Sequence, residues 1–356
     1  MNLSFSNYKV KEKDTLESVA EQLGISSEYL KRYHNTYCDL QYLIGKDLRG
    51  ISEITIPRHE EIAKLKEKQD LLSLHDLLPS RYLNKSLYAQ HYDVKEIFEQ
   101  QNKENITIDY SLAVSFRENI NNGFITEVKT SGFKKNGQDS DDKISMLSLA
   151  CMESISPIAF DIPVQGKIKA FSDYKNLVSS FENKRNNLED FFIGEISEAY
   201  IDQFYKNISD ENYLLTQFQS VLLYQVLFPE MEWFHRKKEW KESFFVTPHS
   251  FPVQCRFKTA YDFENTDDVE IITTGKIEEN CNLQELLNGF KPEEESKDKI
   301  NGEVEMRYFT SKKTKKLKQA GARITLFNKE ELYSTHHLII NAKEEEKPIK
   351  KFSTLA

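Results

Sequence analysis

Histidine, cysteine and acidic side chains are the groups here that could catalyse a reaction or bind a metal, but their spacing predicts neither. His336 and His337 are adjacent, so on a strand they point to opposite faces and cannot chelate one ion together. The sequence contains no HExxH, no GxSxG and no phosphate-binding glycine loop. The acidic runs at residues 293–295 and 344–346 are typical of solvated surface. We therefore expect no enzyme activity, no metal site and no cofactor.

Two other clusters could contact a partner. Residues 312–318 carry five lysines between two predicted strands, which favours a hairpin tip kept soluble by charge. Trp233, Phe234 and Trp240 form an aromatic group that could stack on sugars or dock a protein. Partly buried core aromatics are the simpler interpretation of this second cluster.

The N-terminal residues have the spacing of a short βααβ unit. Tyr8 and Val10 alternate as on a half-buried strand, and Asp14 and Thr15 precede a run with helical spacing, which either could cap. Gly24 follows that run and can end a helix in the left-handed conformation. The residues that carry the pattern are Tyr8, Val10, Asp14, Thr15, Leu16, Val19, Ala20, Leu23, Gly24, Ile25, Ser26, Leu30, His34, Asn35, Gly45, Ile54, Ile56 and Pro57.

Residues 8–57 thereby resemble a LysM module, a unit usually found in proteins that bind N-acetylglucosamine-containing glycans. The resemblance implies a shallow groove between the loop before the first helix and the loop after the second. Three departures affect those loops: Lys13 replaces the usual glycine, His34 replaces the usual asparagine, and residues 36–53 are longer than usual. The residues that the resemblance places at this groove are Asp14, Thr15, Leu16, His34, Asn35, Gly45 and Ile56.

Composition narrows the compartment and the classes of partner. The net charge of −9 disfavours nucleic acid and anionic membrane surfaces as partners. No apolar stretch is long enough to span a membrane, and the N-terminus has no signal-peptide pattern. The four cysteines are widely spaced without a CxxC pair, which suits a reducing compartment. We expect a cytoplasmic protein. A specialised secretion system could also deliver it to the envelope or to the outside of the cell.

The rest of the chain predicts an α+β fold with a mostly antiparallel sheet. We expect a LysM module at 1–58, a charged helical linker at 59–80, a large domain at 81–342 and a flexible tail at 343–356. Within the domain, strands are predicted at about 82–170, helices at about 173–228 and strands at about 243–340. Residues 274–277, Thr-Gly-Lys-Ile, give this block a weak resemblance to β-rich domains of unknown function in Bacteroidota envelope proteins.

Three functions remain after these exclusions. The favoured hypothesis is a non-enzymatic adaptor protein of a bacterium. Its LysM module and its large domain would each bind a protein. These partners would belong to a secretion or baseplate-like assembly, or to the toxin cargo of one. The alternative is an envelope protein that binds peptidoglycan or a chitin-type glycan. The third is a wall hydrolase that uses the LysM module as its anchor.

Overall fold

The computed structural model describes residues 6–58, 60–62, 74–119, 123–290, 300–328 and 330–343. The chain divides into two compact units, Met1–Asp76 and Leu77–Ala356. Helices and a mostly antiparallel sheet together confirm the α+β class. Most of the predicted linker, residues 59 and 63–73, and the tail from residue 344 lie outside the described residues.

Residues 6–58 of the N-terminal unit form two α-helices and a two-stranded antiparallel sheet in βααβ order. Its elements are β1 (Ser6–Lys9), α1 (Leu16–Leu23), α2 (Ser27–Tyr37), a 3-10 turn (Leu40–Tyr42) and β2 (Glu53–Ile56). Tyr8 lies opposite Ile54 in the sheet. Local chemistry sets the helix ends, because Thr15 and Ser26 accept backbone N–H bonds as N-caps and Gly24 ends α1 at a φ of 66°.

One hydrophobic core holds the N-terminal unit together. The apolar residues of α1 recur every three to four positions, so they share one face of the helix and bury against α2, the long loop and β2. The buried members are Leu16, Val19, Ala20, Leu30, Ile44, Leu48 and Ile54.

Among its described residues, the C-terminal unit is built on a twelve-stranded sheet in which every neighbouring pair is antiparallel. The order is β8-β7-β5-β4-β3-β14-β13-β12-β11-β10-β9, with β6 beside β5. The strands are β3 (His91–Gln100), β4 (Ile106–Asn119), β5 (Gly123–Lys135), β6 (Gln138–Asp139), β7 (Ile158–Pro163), β8 (Ala170–Phe171), β9 (Trp240–Phe244), β10 (Val253–Asp262), β11 (Asp268–Ile277), β12 (Asn301–Ser311), β13 (Leu317–Asn328) and β14 (Glu331–Ala342).

Helices cover the apolar face of this sheet. Burial alternates along β12, so one face of the strand enters the core and the other stays accessible. The core joins inward strand residues such as Phe160 and Tyr308 to helix aromatics such as Phe181 and Phe218. The helical elements are 3-10 turns at Lys85–Leu87 and Met231–His235, with α3 (Lys143–Ser154), α4 (Tyr174–Phe191), α5 (Glu195–Ile208), α6 (Glu211–Ser220), α7 (Leu222–Leu227) and α8 (Leu283–Asn288).

The observed elements run in the order strands, helices, strands, with two departures from the predicted blocks. Residues 82–170 were predicted as strands, but α3 lies among them, and α8 interrupts the later strand block. The alternating residues 106–116 form β4 and pair with β5 as a hairpin, whose turn at 120–122 lies outside the described residues. Among the residues that the structure describes, no helix is both long and apolar enough to cross a bilayer.

Candidate functional site

The loop before α1 is organised by the carboxylate of Asp14. This carboxylate accepts hydrogen bonds from the Lys11 backbone N–H (2.8 Å) and from the Tyr8 hydroxyl (2.9 Å). The backbone bond from Lys11, with a smaller contribution from Tyr8, holds the pKa of Asp14 below its ordinary value. Thr15 caps α1 through a capping box with Ser18, at 2.9 and 3.1 Å.

His34 is a buried connector between α2, the long loop and β2. Its Nδ1 accepts the Thr55 backbone N–H at 2.9 Å, so its Nε2 carries the proton and donates to the Tyr42 carbonyl at 2.9 Å. The side chain is 1% exposed. Both nitrogens of the imidazole are therefore hydrogen-bonded to backbone groups of the same unit.

Asn35 holds the long loop against α2. Its amide donates to the Ile44 carbonyl (3.1 Å) and accepts the Ile44 N–H (2.8 Å), so it pairs with this residue as one strand residue pairs with another. The Lys31 ammonium donates to the carbonyl of Gly45, the next residue in the loop. Gly45 is exposed, with open space where a β-carbon would lie.

The seven groove residues predicted from the LysM resemblance share one unit but differ in accessibility. The side chain of Leu16 is in the core, and Ile56 packs partly buried against the same core. Asp14 is half-buried, whereas Thr15 and Gly45 are exposed. Thr15 and Gly45 thus lie at the surface, while Leu16 and His34 support the loops from beneath. The groove itself stays a prediction.

An exposed apolar patch beside this region was missed from the sequence. Leu40 is 87% exposed, and Tyr37, Tyr42 and Leu43 are 46%, 44% and 44% exposed. Large apolar side chains clustered at a surface mark contact sites more often than single exposed residues do. We call these four residues the loop patch. The unusual length of residues 36–53 was the available signal, because inserted loops on a rigid scaffold commonly carry binding residues.

The tyrosines of α2 form a row along one side of the helix. Tyr29, Tyr33 and Tyr37 are four residues apart, with ring centroids 6.2 and 4.8 Å apart. The Tyr33 hydroxyl donates to Glu61 at 3.0 Å, and burial with this bond raises its pKa to about 12. Tyr33, in the middle of the row, therefore stays uncharged at neutral pH.

The aromatic and basic candidates of the C-terminal unit have structural partners. Trp233 and Trp240 are buried, with Trp233 stacked on Phe257 at 6.0 Å. Lys312 donates to the Phe263 carbonyl at 2.7 Å, and Lys318 pairs with Asp268, so both ends of the basic hairpin between β12 and β13 are engaged. The core interpretation of the tryptophans and the hairpin interpretation of the lysines agree with these contacts.

His336 and His337 contact different groups, as their adjacency predicted. His336 Nε2 lies 2.8 Å from Glu96 and its ring stacks on Phe98, whereas burial beside Arg323 lowers the pKa of His337. Within the described ranges, no three His, Cys, Asp or Glu side chains converge as metal ligands would.

No family model matches the chain, and no curated protein sequence matches it. Among solved structures, the chain is similar to lipovitellin in a structure titled "Lipid-protein interactions in lipovitellin". The TM-score is 0.33 and the identity 9%, over 72% of this chain and 25% of that one. The chain thus spans a quarter of the lipovitellin chain, and a similarity this low supports neither a common fold nor a common ligand.

Proposed function

We propose that this chain is a non-enzymatic adaptor of a bacterium, whose N-terminal unit is a LysM-type module that docks a protein. We further propose that its partner belongs to a contractile injection or secretion apparatus, or to the toxin cargo of one. The loop patch is the observation that carries the docking role, because it exposes Tyr37, Leu40, Tyr42 and Leu43 together.

The contacts beneath the patch favour docking over sugar recognition. Sugar specificity requires polar groups with free hydrogen-bonding capacity at the surface. The side chains of His34 and Asn35 are instead hydrogen-bonded to backbone groups of Tyr42, Ile44 and Thr55. A rigid loop with an apolar surface is the expected form of a protein contact site.

Glycan binding is the second candidate. Thr15 and Gly45 are exposed and the Asp14 carboxylate is half-buried, so polar atoms are accessible on the loop before α1 and in the long loop. Tyr37 and Tyr42 could stack on sugar rings. On this alternative the chain binds peptidoglycan or chitin-type oligomers in the cell envelope.

The proposed compartment is the cytoplasm, with delivery outward by the secretion apparatus. Cys38, Cys151, Cys255 and Cys281 form no disulfide, which is the ordinary state in a reducing cytosol. An acidic chain of net charge −9 also fits a protein partner better than nucleic acid.

Photo-crosslinking in the producing bacterium tests the docking role. A benzoylphenylalanine at Leu40 should crosslink to a protein of the apparatus or its cargo. The same probe at Leu332, a 50% exposed apolar residue of β14, is the control and should not give that product. Absence of a product specific to Leu40 would contradict the docking role.

Pull-down with purified peptidoglycan and chitin oligomers tests the alternative. Saturable binding that disappears in the double variant Asp14→Ala, Thr15→Ala would establish glycan recognition and end the purely protein-docking proposal. Because Thr15 caps α1, hydrogen exchange of the N-terminal unit must first show that the variant is folded.

A further inference from the structure

A second exposed apolar surface lies on the helices of the C-terminal unit. Phe191, Ile193 and Ile196 fall within six residues and are 72%, 73% and 74% exposed. Nearby on α3, Ile144 and Met146 are 47% and 40% exposed. Large apolar side chains are normally buried, so exposing five of them together indicates a contact surface.

This surface borders a groove between α3 and α4. The groove has a volume of about 670 Å³. Lys143, at the start of α3, donates to the Ile193 carbonyl, and Lys184 donates to the Ser154 carbonyl at the end of α3, so the two helices run antiparallel. We call this the α3–α4 groove.

The groove is lined at helical intervals on both sides. From α3 it takes Met146, Leu149, Ala150 and Glu153, which are spaced i, i+3, i+4 and i+7.

The α4 side has the same spacing, with Lys184, Asn187, Leu188 and Phe191. Each wall therefore extends over about 10 Å, or two helical turns. An elongated, mostly apolar groove between two neighbouring helices matches the shape of a third helix. Met146 adds an adaptable side chain of the kind that helix-binding grooves use.

Residues 141–154 and 184–198, the segments that form and border the groove, carry seven carboxylates and three cations. Asp141, Glu153, Asp190 and Glu195 are exposed, and within the described ranges none of these side chains has an ion pair. The two lysines at the groove, Lys143 and Lys184, donate to backbone carbonyls. Both lysines keep their positive charge, but the excess of carboxylates over cations in these two segments makes the surroundings of the groove net negative, and we call these surroundings the acidic rim.

We propose that the α3–α4 groove binds a cationic amphipathic helix of a partner protein. The partner's apolar stripe would fill the groove, and its Lys or Arg residues would face Asp190, Glu195 and Glu153. This inference rests on the proposed adaptor role and assigns the chemistry of its second partner.

The acidic rim disfavours the two other occupants. A second copy of this chain would bring one acidic rim against another, and like charges across an interface oppose association. An anionic membrane surface would be repelled in the same way. A basic helix is the occupant for which the apolar and the charged features act together.

The test uses the full chain and a labelled synthetic peptide of about 15 residues, a designed helix with Leu on one face and Lys on the other. Fluorescence anisotropy should show saturable, micromolar binding that weakens with salt. The double variant Phe191→Ser, Ile193→Ser should weaken binding at least about tenfold. The variant Asp190→Asn, Glu195→Gln should weaken it several-fold and flatten the salt dependence.

Matched controls separate this groove from other surfaces. Leu332→Ser removes an exposed apolar residue elsewhere, and Leu40→Ser alters the loop patch; both should leave peptide binding unchanged. Because the Leu40 probe reports on the other unit, failure here and failure of the docking role are distinguishable. All substituted side chains are exposed, so the melting temperature should not change.

Four results would overturn the proposal. The first is the absence of saturable binding of the cationic peptide, and the second is equally tight binding of a peptide that has Glu in place of Lys. The third is a loss of peptide binding in Leu332→Ser as large as that in the groove variant. The fourth is a concentration-dependent dimer that the double variant Phe191→Ser, Ile193→Ser abolishes. Binding of the chain to phosphatidylglycerol vesicles through the same residues would also contradict the proposal, because the groove would then bind a membrane and not a protein helix.

Discussion

The imidazole Nδ1 of His34 accepts the backbone N–H of Thr55 at 2.9 Å, which ties the second helix of the N-terminal unit to its last strand. The residues are 21 positions apart, so this bond closes the unit over the long loop. His34 occupies the position where the LysM resemblance leads one to expect asparagine. The substitution therefore falls on a side chain that supports the loop patch from beneath.

We expect His34→Ala to destabilise the N-terminal unit by on the order of 2 kcal/mol or more. The change leaves the Thr55 N–H and the Tyr42 carbonyl without their partner and opens a cavity. Amide hydrogen exchange of the full chain should show faster exchange at Thr55. His34→Asn keeps one donor and one acceptor and should recover part of the protection. His91→Ala, at an exposed histidine of β3, is the control; equal loss of protection there would refute the role of His34.

The Asp14 carboxyl should titrate below its ordinary pKa. Its folded-state pKa is lowered chiefly by the Lys11 N–H and then by the Tyr8 hydroxyl. Its contribution to stability is therefore complete above the range where an unfolded Asp titrates, and it is lost as pH falls through the folded pKa. NMR titration should show the lowered pKa, and Tyr8→Phe should raise it part of the way. An ordinary pKa in the parent chain would contradict the loop geometry.

Only Cys38 should react with a thiol reagent in the native protein. Cys151, Cys255 and Cys281 are fully buried, and burial raises the pKa of the first two thiols to about 11 and about 12. Titration with an aromatic disulfide should count one thiol before unfolding and four after it. Cys38→Ser should remove the native reaction. Since Cys38 directly follows α2 beside the loop patch, a ligand bound there should slow its modification.

Gly166→Ala should destabilise the C-terminal unit by about 3 kcal/mol or more. Gly166 has a φ of +96°, and a β-carbon there would lie 2.0 Å from the Pro229 carbonyl oxygen. Gly132→Ala is the matched control, because its φ is +69° but nothing lies within 4 Å, so it should cost about 1 kcal/mol. Urea unfolding followed by the fluorescence of Trp233 and Trp240 measures the difference. Equal losses would show that the close approach is unimportant.

Local features of the fold were predictable wherever neighbouring residues carry the signal. Thr15 caps α1, Gly24 ends it, and Asp210 caps α6 through the Tyr213 N–H at 3.0 Å, because these interactions span only a few residues. Helix α3 was missed because its apolar residues, including Ile144, Leu147 and Met152, lie on several sides of the helix. A helix without one apolar face has no clear periodicity to read.

The candidate sites divide in the same way. The LysM resemblance selected the stretch around Asp14, Thr15 and Asn35, but the sequence could not show which side chains point inward. Hydrogen bonds between distant positions decide that, as His34 and Asn35 illustrate. The α3–α4 groove had no sequence signal, since it needs residues 146–153 beside residues 184–191.

The sequence by itself determined the α+β class, the βααβ order, the helix caps and the acidic character of the chain. Those properties follow from spacing over a few residues and from composition. The tertiary structure alone decided the strand order, in which β3 pairs with β14 and brings Glu96 within 2.8 Å of His336. It also decided which apolar residues stay at the surface, because exposure depends on contacts between residues far apart in the chain. Such long-range packing buries Leu16 and Leu188 but leaves Leu40 and Phe191 exposed.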